Sequence, residues 1–545
     1  MSSVGRGKDA AAAGPSDSSA QPWWKGAVVY QIYPRSFKDS NNDGSGDLAG
    51  ITRKLDYVHS LGVEAIWLSP VFRSPMADFG YDIADYRDID PVFGTMADFE
   101  KLLATAHGLG LKVIIDQVYS HTSDRHPWFR ESRRDRSNSM SDWYVWADPK
   151  ADGSPPNNWL SLFGGPAWTW DAGRRQYYLH NFLSEQPDLN FHNEQVRSAI
   201  LDVARFWLDK GVDGLRLDVA NFYFCDPDLT DNPASGRRDA IRPYQFQRHV
   251  HDRSRPENLA FAETLRRLTD SYPGRMMVAE IGSASYVERS MEYTNGNRRI
   301  HTAYNFLLLE NGPLTAALIR NAMESWTSEA AWPSWSFCNH DVERVASRWG
   351  GEDPPRAFAK MLVCLLLCLR GTIFLYQGEE LGLPQARIPR EGLRDPEGIR
   401  FWPHGLGRDG ARTPFPWQSG AAHAGFSDVQ PWLGVDARHA ELAVDRQEGD
   451  TESVLRLSRQ AIAARRSSAA LTLGTIRFED APEPVLHFHR QHRGEHLQCL
   501  FNLGGEPTST LLPQKPRQWL MRSLQSTGRT GREITLKGFG FAVWR

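Results

Sequence analysis

Several features that mark whole classes of protein are absent or scarce in this chain. It has five cysteines, an odd number with no regular spacing, so no disulfide framework is expected. Cys364 and Cys368 sit in an apolar helical run and read as buried thiols, which fits a reduced, cytoplasmic setting. Basic charge is not in surplus: 63 Lys+Arg against 66 Asp+Glu leave a net −3, which argues against nucleic acid as a main partner. No apolar run approaches the ~20 residues that span a bilayer. The longest, 361–369, is bounded by Lys360 and Arg370 and reads as a core helix, so no membrane association is expected. Residues 1–22 are rich in Ala, Ser and Gly without an apolar core, and read as a disordered tail rather than a signal peptide.

What is present is a globular composition, 41% hydrophobic and 24% charged, in a chain of 545 residues that is too long for one core. Eight apolar, strand-like runs recur: AVVYQIYP (27–34), VEAIWLSP (63–70), LKVIIDQVYSH (111–121), VDGLRLDVA (212–220), RMMVAEIG (275–282), TAYNFLLL (302–309), SWSFCNHD (334–341) and TIFLYQGEE (372–380). Nearly continuous apolar runs suit parallel strands buried on both faces. Helical patterns lie between them. Leu48, Ile51, Leu55 and Val58 share a face, as do Phe99, Leu102, Leu103 and Ala106, and Val196, Ile200, Val203 and Trp207. Eight alternations predict an α/β fold, a (β/α)₈ TIM barrel. The spacing is uneven in one place, after His121, where a long polar and aromatic stretch predicts an inserted domain. Beyond 468 the alternation gives way to short β-like pieces, predicting a C-terminal antiparallel β-sandwich. The expected division is a tail (1–22), barrel (23–121), inserted domain (122–186), barrel (187–468) and sandwich (469–545).

Three of the runs end on carboxylates: Asp218, Glu280 and Asp341. A carboxylate at the end of a buried strand is costly to desolvate unless chemistry needs it there. In a barrel of this kind the chemistry sits at the C-terminal strand ends, where His121 also falls. Two or three carboxylates at close range suit cleavage of a glycosidic bond.

The motifs resemble those of glycoside hydrolase family 13, the α-amylase superfamily, and its α-glucosidase and oligo-1,6-glucosidase branch in particular. DQVYSH (116–121), QPDLN (186–190), GLRLD (214–218), AEIG (279–282), NHD (339–341) and GTIFLYQGEELG (371–382) match in order, and the resemblance runs from about residue 23 to the end. It implies Asp218 as nucleophile, Glu280 as general acid and then base, and Asp341 as the group that holds sugar hydroxyls. Arg216 would keep Asp218 ionised, while burial and the charge of Asp218 would keep Glu280 protonated. The two carboxyls would lie about 5–5.5 Å apart, giving retention of configuration. His121 and His340 would donate to sugar hydroxyls. Asp78 and Tyr81, in ADFGYD, would close the glucose pocket, with Asp78 paired to Arg412 of an RTP motif; Arg408 and Arg400 are nearby alternatives. Gln186, in QPDLN, belongs to the same set. Phe163 and Phe182 would line the pocket or serve as plain core.

Asp39, Asn41, Asp43, Ser45 and Asp47 place oxygen ligands at alternate positions around a Gly turn. Position twelve is Gly50, so this is not an EF-hand. The resemblance implies a structural Ca²⁺ or Mg²⁺ there, with no organic cofactor. Linkage clues conflict. Val219 after the nucleophile goes with α-1,6 preference in the family, whereas DQVYSH departs from the form common in oligo-1,6-glucosidases. The expected substrate is a short oligosaccharide or aryl glucoside, taken by a monomer or homodimer. Two rivals stand beside a retaining exo-acting α-glucosidase. One is a transglucosylase or isomerase of the same fold (trehalose synthase or sucrose isomerase type). The other is a non-catalytic binding subunit.

Overall fold

The computed structural model describes residues 21–545 except 283–284, 329, 406, 513–514 and 528–531. The tail expected at 1–22 falls almost wholly outside them. Eight strands, β1 (Val28–Ile32), β2 (Ala65–Leu68), β3 (Lys112–Gln117), β4 (Gly214–Leu217), β5 (Met276–Glu280), β6 (Thr302–Tyr304), β7 (Trp332–Trp335) and β8 (Thr372–Tyr376), close into a barrel. Each pairs in parallel with its sequence neighbours, and β1 closes on β8 with Val28 opposite Ile373. All eight sequence runs thus become barrel strands. One buried cluster draws side chains from six of them: Val29, Ala65, Trp67, Ile114, Met276, Val278, Tyr304 and Phe374. Trp67, Tyr304 and Phe374 meet edge to face at 5.5–5.9 Å, a geometry that aromatic quadrupoles favour.

Two strands are shorter than their apolar runs suggest. β6 stops at Tyr304 because Asn305 Oδ1 accepts the Leu307 N–H at 2.8 Å, an Asx turn that competes with the ladder. β7 stops at Trp335. Ser336 Oγ then bonds the Cys338 backbone, and Asn339 Oδ1 accepts the Asp341 N–H at 2.8 Å. Asn339, His340 and Asp341 therefore sit on a turn above the strand rather than on it.

The periodic helices fall where the apolar spacing puts them. Met96–Gly108 opens on a Thr95–Asp98 capping box and buries Phe99, Leu102, Leu103 and Ala106. Glu194–Asp209 opens on an Asn193 cap and buries Val196, Ile200, Val203 and Trp207. Arg356–Cys368 is buried nearly all round.

The insertion after β3 contains a three-stranded antiparallel sheet, Trp146–Ala147, Gln176–Leu179 and Trp168–Asp171. A single long insertion was expected, and there is a second. The described residues of 377–453, between β8 and the helix Val454–Arg466, hold only short helices and turns and reach back over the barrel mouth. Short turns without periodicity leave no amphipathic signal, so this excursion is invisible to pattern reading.

Residues after 474 form a five-stranded and a three-stranded antiparallel sheet with a shared apolar core that includes Val485, Leu500, Ile534, Leu536 and Trp544. Two fully buried arginines meet at this boundary, Arg490 from the C-terminal unit and Arg465 from the barrel. Arg465 donates to the carbonyls of Gly26 (3.0 Å), Leu367 (2.6 Å) and Leu369 (3.0 Å). Arg490, on the strand Val485–His492, donates to those of Cys368 (2.6 Å) and Gly474 (3.0 Å). Carbonyls at the end of Arg356–Cys368 carry the negative end of its dipole and suit a cation. Burial still pulls both guanidinia down, Arg465 to about 10 and Arg490 to about 9. All five cysteines are buried and free. Among the described residues no helix is long and apolar enough to cross a membrane.

Candidate active site

Arg216 organises the mouth of the barrel. The parallel register sets it opposite Asp116 of β3 on one side and Val278 of β5 on the other. Its Nη1 donates to Asp116 Oδ1 (2.7 Å) and Asp218 Oδ1 (2.6 Å), and its Nη2 to Glu280 Oε2. The guanidinium lies 5.1 Å over the Trp67 ring, the aromatic top of the barrel interior. One cation thus faces three carboxyls whose side chains are 0% (Asp116), 8% (Asp218) and 10% (Glu280) exposed. A single positive charge cannot neutralise three buried negative ones, so protons are retained. Burial, against the pull of Arg216, raises Asp116 to about 6, Asp218 to about 7 and Glu280 to about 8. The charges of Asp218 and Asp341 add to the rise at Glu280. Arg216 was expected to keep Asp218 ionised. It does favour the carboxylate, but burial outweighs it, and the order of the two acids, Asp218 below Glu280, survives.

Asp341 behaves oppositely. Burial raises it, but His340, Arg412, Arg408 and Arg216 outweigh that and hold its carboxyl well below the usual range. It is also the most open of the four acids, at 26% side-chain exposure.

The loop after β2 is folded by Asp82, whose carboxylate accepts from Ser74 Oγ (2.9 Å), Ala77 N (2.9 Å) and Asp78 N (3.0 Å). That turn presents Asp78 and Tyr81. Tyr81 stacks on His340 at 5.3 Å and links three elements. Gln31 Nε2 donates to His340 Nδ1 (2.8 Å), so His340 carries its proton on Nε2, 2.6 Å from Tyr81 Oη and 3.2 Å from Asp341 Oδ2. The Tyr81 hydroxyl then donates to Asp116 Oδ2 at 3.1 Å. Burial lowers His340 to about 3 and His121 to about 4, so both rings are neutral. His121 donates to the Tyr81 carbonyl at 2.9 Å. Gln31 and Asp116 carry no signal in the sequence beyond their place within apolar strand runs.

The expected partner of Asp78 is corrected. Arg408, not Arg412, donates to Asp78 Oδ1 at 2.6 Å, and it also holds Asp395 at 2.7 Å. Arg412 donates instead to Asp341 Oδ1 (2.8 Å) and to the His340 carbonyl (2.7 Å). The reason is a division of charge. Asp395, which sequence reading missed, anchors Arg408 beside Asp78, while Arg412 stands over Tyr33 at 5.4 Å next to the 339–341 turn. Arg400 lies instead against Gly164 and Gly165. Gln186 Nε2 lies 3.3 Å from Asp78 Oδ2.

Phe163, Phe182 and Val219 come together in one buried apolar cluster with Phe222. Phe163 lies 5.1 Å under the Arg408 guanidinium, and Phe182 packs on His121 at 5.1 Å. Val219 has φ +34°, a conformation a β-branched residue rarely adopts. Such strain costs on the order of 1–3 kcal/mol and persists where surroundings enforce it. Here Asp218 N bonds Gln117 O and Ala220 N bonds Glu280 O, both at 3.0 Å.

In the 39–47 loop the donors are all oxygens, which suits a hard cation, but the side chains close the loop on itself. Asp39 accepts from the N–H groups of Asn41, Asn42 and Gly44 and from Ser427 Oγ. Asp47 accepts from Ser40 and Gly50, and Asp43 from Ser45 N. Among the described residues no three His, Cys, Asp or Glu side chains converge as a metal group.

A closed parallel barrel with acids and an arginine gathered at its strand ends defines a glycoside-cleaving enzyme of the barrel type. The family model for the alpha amylase catalytic domain matches residues 31–474, and the chain belongs to that family, glycoside hydrolase family 13. It is a glycoside hydrolase. It is similar to a probable alpha-glucosidase of Rhizobium meliloti (strain 1021), at 51% identity over 90% of this chain and 91% of that one. An oligo-1,6-glucosidase of Heyndrickxia coagulans is 39% identical over 93% and 96%. Among solved structures, the alpha-glucosyl transfer enzyme XgtA superposes with a TM-score of 0.92 at 53% identity, covering 96% of this chain and all of that one. The trehalulose synthase MutB from Pseudomonas mesoacidophila MX-45 gives 0.88 at 33%, covering 96% and 99%.

Proposed function

We propose that this chain is a retaining, exo-acting α-glucosidase that releases glucose from the non-reducing end of short α-glucosides. The observation that carries the reading is Arg216, which binds Asp218 and Glu280 at once and so holds a nucleophile and an acid about one point. Asp218 attacks the anomeric carbon as Glu280 protonates the departing oxygen. Glu280, now ionised, takes a proton from water, which displaces Asp218 and regenerates both groups. Asp341, ionised and clamped by Arg412, accepts hydrogen bonds from sugar hydroxyls. The buried Asp78–Arg408 pair is the blind end that favours a terminal glucose over a chain interior. Phe163, Phe182 and Val219 are the apolar wall beside it. His121 and His340, neutral, give their one N–H each toward Tyr81 and so position it, rather than donating to sugar hydroxyls as the resemblance implied.

Glucosyl transfer is the second reading, favoured by the similarity to the alpha-glucosyl transfer enzyme XgtA. The two differ only in whether water or a hydroxyl compound displaces Asp218. The reading extends to the 39–47 loop, where Asp39, Asn41, Asp43, Ser45 and Asp47 would hold Ca²⁺ or Mg²⁺. There the ion would supply positive charge that ties the loop together.

The test is NMR of the first product from maltose, isomaltose and sucrose in parallel. Early α-glucose from any of them supports the hydrolase and identifies its linkage. Early β-glucose overturns retention, and new oligosaccharides without free glucose favour transfer.

A further inference from the structure

The seam between the barrel and the C-terminal sheets holds a cavity of about 520 Å³ that shares no residue with the active site. Its walls come from both units. Lys360 of the helix Arg356–Cys368 and Gln460 of the helix Val454–Arg466 stand on the barrel side. Arg522 of the strand Trp519–Arg522, then Gln525, Ser526 and Thr527 of the strand Leu524–Thr527, and Lys537 stand on the other. A space of this size falls within the ~300–1,000 Å³ of small-molecule sites and exceeds what a lone ion fills.

Charge and polarity define what the cavity can hold. Three cations line it, Lys360, Arg522 and Lys537, against one carboxylate, Glu452. Glu452 lies 3.4 Å from Lys360 with its side chain 84% exposed, so it offsets little of that charge. Among the described residues neither Arg522 nor Lys537 forms an ion pair. Like charges gathered in one concavity raise its potential and attract an anion. Arg522 stands 5.5 Å over the Trp519 ring, which occupies the face of the guanidinium and leaves its N–H edge for an acceptor. The neutral side chains agree. Gln460, Gln525, Ser526 and Thr527 make no side-chain hydrogen bond among the described residues. Leu457 and the buried Phe541 add a small apolar floor.

We infer that this cavity binds a phosphorylated sugar, its phosphate on Lys360, Arg522 and Lys537 and its hydroxyls on Gln460, Gln525, Ser526 and Thr527. A phosphate monoester offers three charged acceptor oxygens, and cationic N–H groups are their strong partners. Sugar hydroxyls both donate and accept, which side-chain amides and hydroxyls match. The apolar floor of Leu457 and Phe541 suits the C–H face of a pyranose ring. Because the walls belong to two units, the ligand bridges them. It binds only where the barrel helices and the C-terminal sheets are packed together, and so stabilises the seam by mass action.

The experiment titrates the full chain calorimetrically with glucose 6-phosphate and with inorganic phosphate at equal ionic strength. Wild type is compared with Arg522→Gln and Lys537→Gln, after confirming that the unliganded variants melt like wild type. The expected result is one site per chain that takes glucose 6-phosphate at least tenfold more tightly than inorganic phosphate and raises the melting temperature. Each variant should lose tenfold or more in affinity for the sugar phosphate. No binding, binding that both variants retain, or inorganic phosphate bound as tightly as the sugar phosphate would overturn the inference. Hydrogen exchange of wild type with glucose 6-phosphate locates the ligand without any variant: protection of residues 522–527 upholds the site, and protection only elsewhere ends it.

Discussion

Arg408 Nη2 lies 2.6 Å from Asp78 Oδ1 and 2.7 Å from Asp395 Oδ1, so one nitrogen joins the loop after β2 to the long excursion after β8. Burial raises Asp78, and Arg408 is the largest influence opposing that rise. Removing the guanidinium strands two buried carboxyls. Arg408→Ala should cost about 3–5 kcal/mol, as breaking buried pairs does. Thermal unfolding should show it directly, and KM for a short α-glucoside should rise at least tenfold. A variant that melts like wild type would mean the pair is not formed in solution.

Asp218 and Glu280 are both raised on folding, so both make stability fall as pH rises. Glu280 is raised from an ordinary 4.5 to about 8 on folding, so the folded state holds its proton more tightly than the unfolded chain. The stability it contributes is full below 4.5 and is lost as pH rises toward 8. Gln cannot ionise, so Glu280→Gln should abolish turnover of natural substrates yet melt higher than wild type, with the gap widening as pH rises from about 5 to 8. Asp218→Asn should lower kcat by roughly 10⁴-fold or more without loss of fold. Substantial residual turnover in Asp218→Asn removes the nucleophile assignment.

Activity needs Asp218 ionised and Glu280 protonated, so kcat/KM should fall below about 7 and above about 8. Asp116 raises Asp218 by its charge. Asp116→Asn removes that charge, so Asp218 loses its proton at lower pH. The acid limb of the pH–rate profile should therefore move down while the fold persists, since Asn can still accept from Arg216. An unmoved acid limb would show that the limb does not belong to Asp218.

Chelation tests the 39–47 loop. EDTA should lower the melting temperature and leave kcat at ambient temperature unchanged, because Asp39 is tied to Ser427 and not to Arg216 or its acids. Metal analysis should find one divalent ion per chain. A melting point indifferent to EDTA, together with a metal-free protein, discards the ion.

Much of this site could be read in the sequence because each of its main acids interrupts an apolar strand. Asp218 and Glu280 break a local pattern, and a broken pattern is visible in one dimension. His340 and Asp341 were found for the same reason, although Ser336 and Asn339 turn the chain before the strand reaches them. Gln31 and Asp116 were passed over because polar residues on inward-facing strand positions look like part of the strand until register sets them against His340 and Arg216. The exchange of Arg412 for Arg408 at Asp78 had no local signature. The two arginines lie four positions apart, and the choice depends on Asp395, which pairs from thirteen residues upstream.

Arg490 belongs to the C-terminal sheets, yet its guanidinium completes the end of a barrel helix by binding the Cys368 carbonyl. Arg465 does the same one residue to either side, from a helix of the barrel itself. The last turn of Arg356–Cys368 is thus capped from both sides of a domain boundary. A boundary drawn along the chain does not divide the molecule energetically. The C-terminal sheets are less an accessory than a missing terminus of the catalytic barrel, so calorimetry should show the two melting together in one transition.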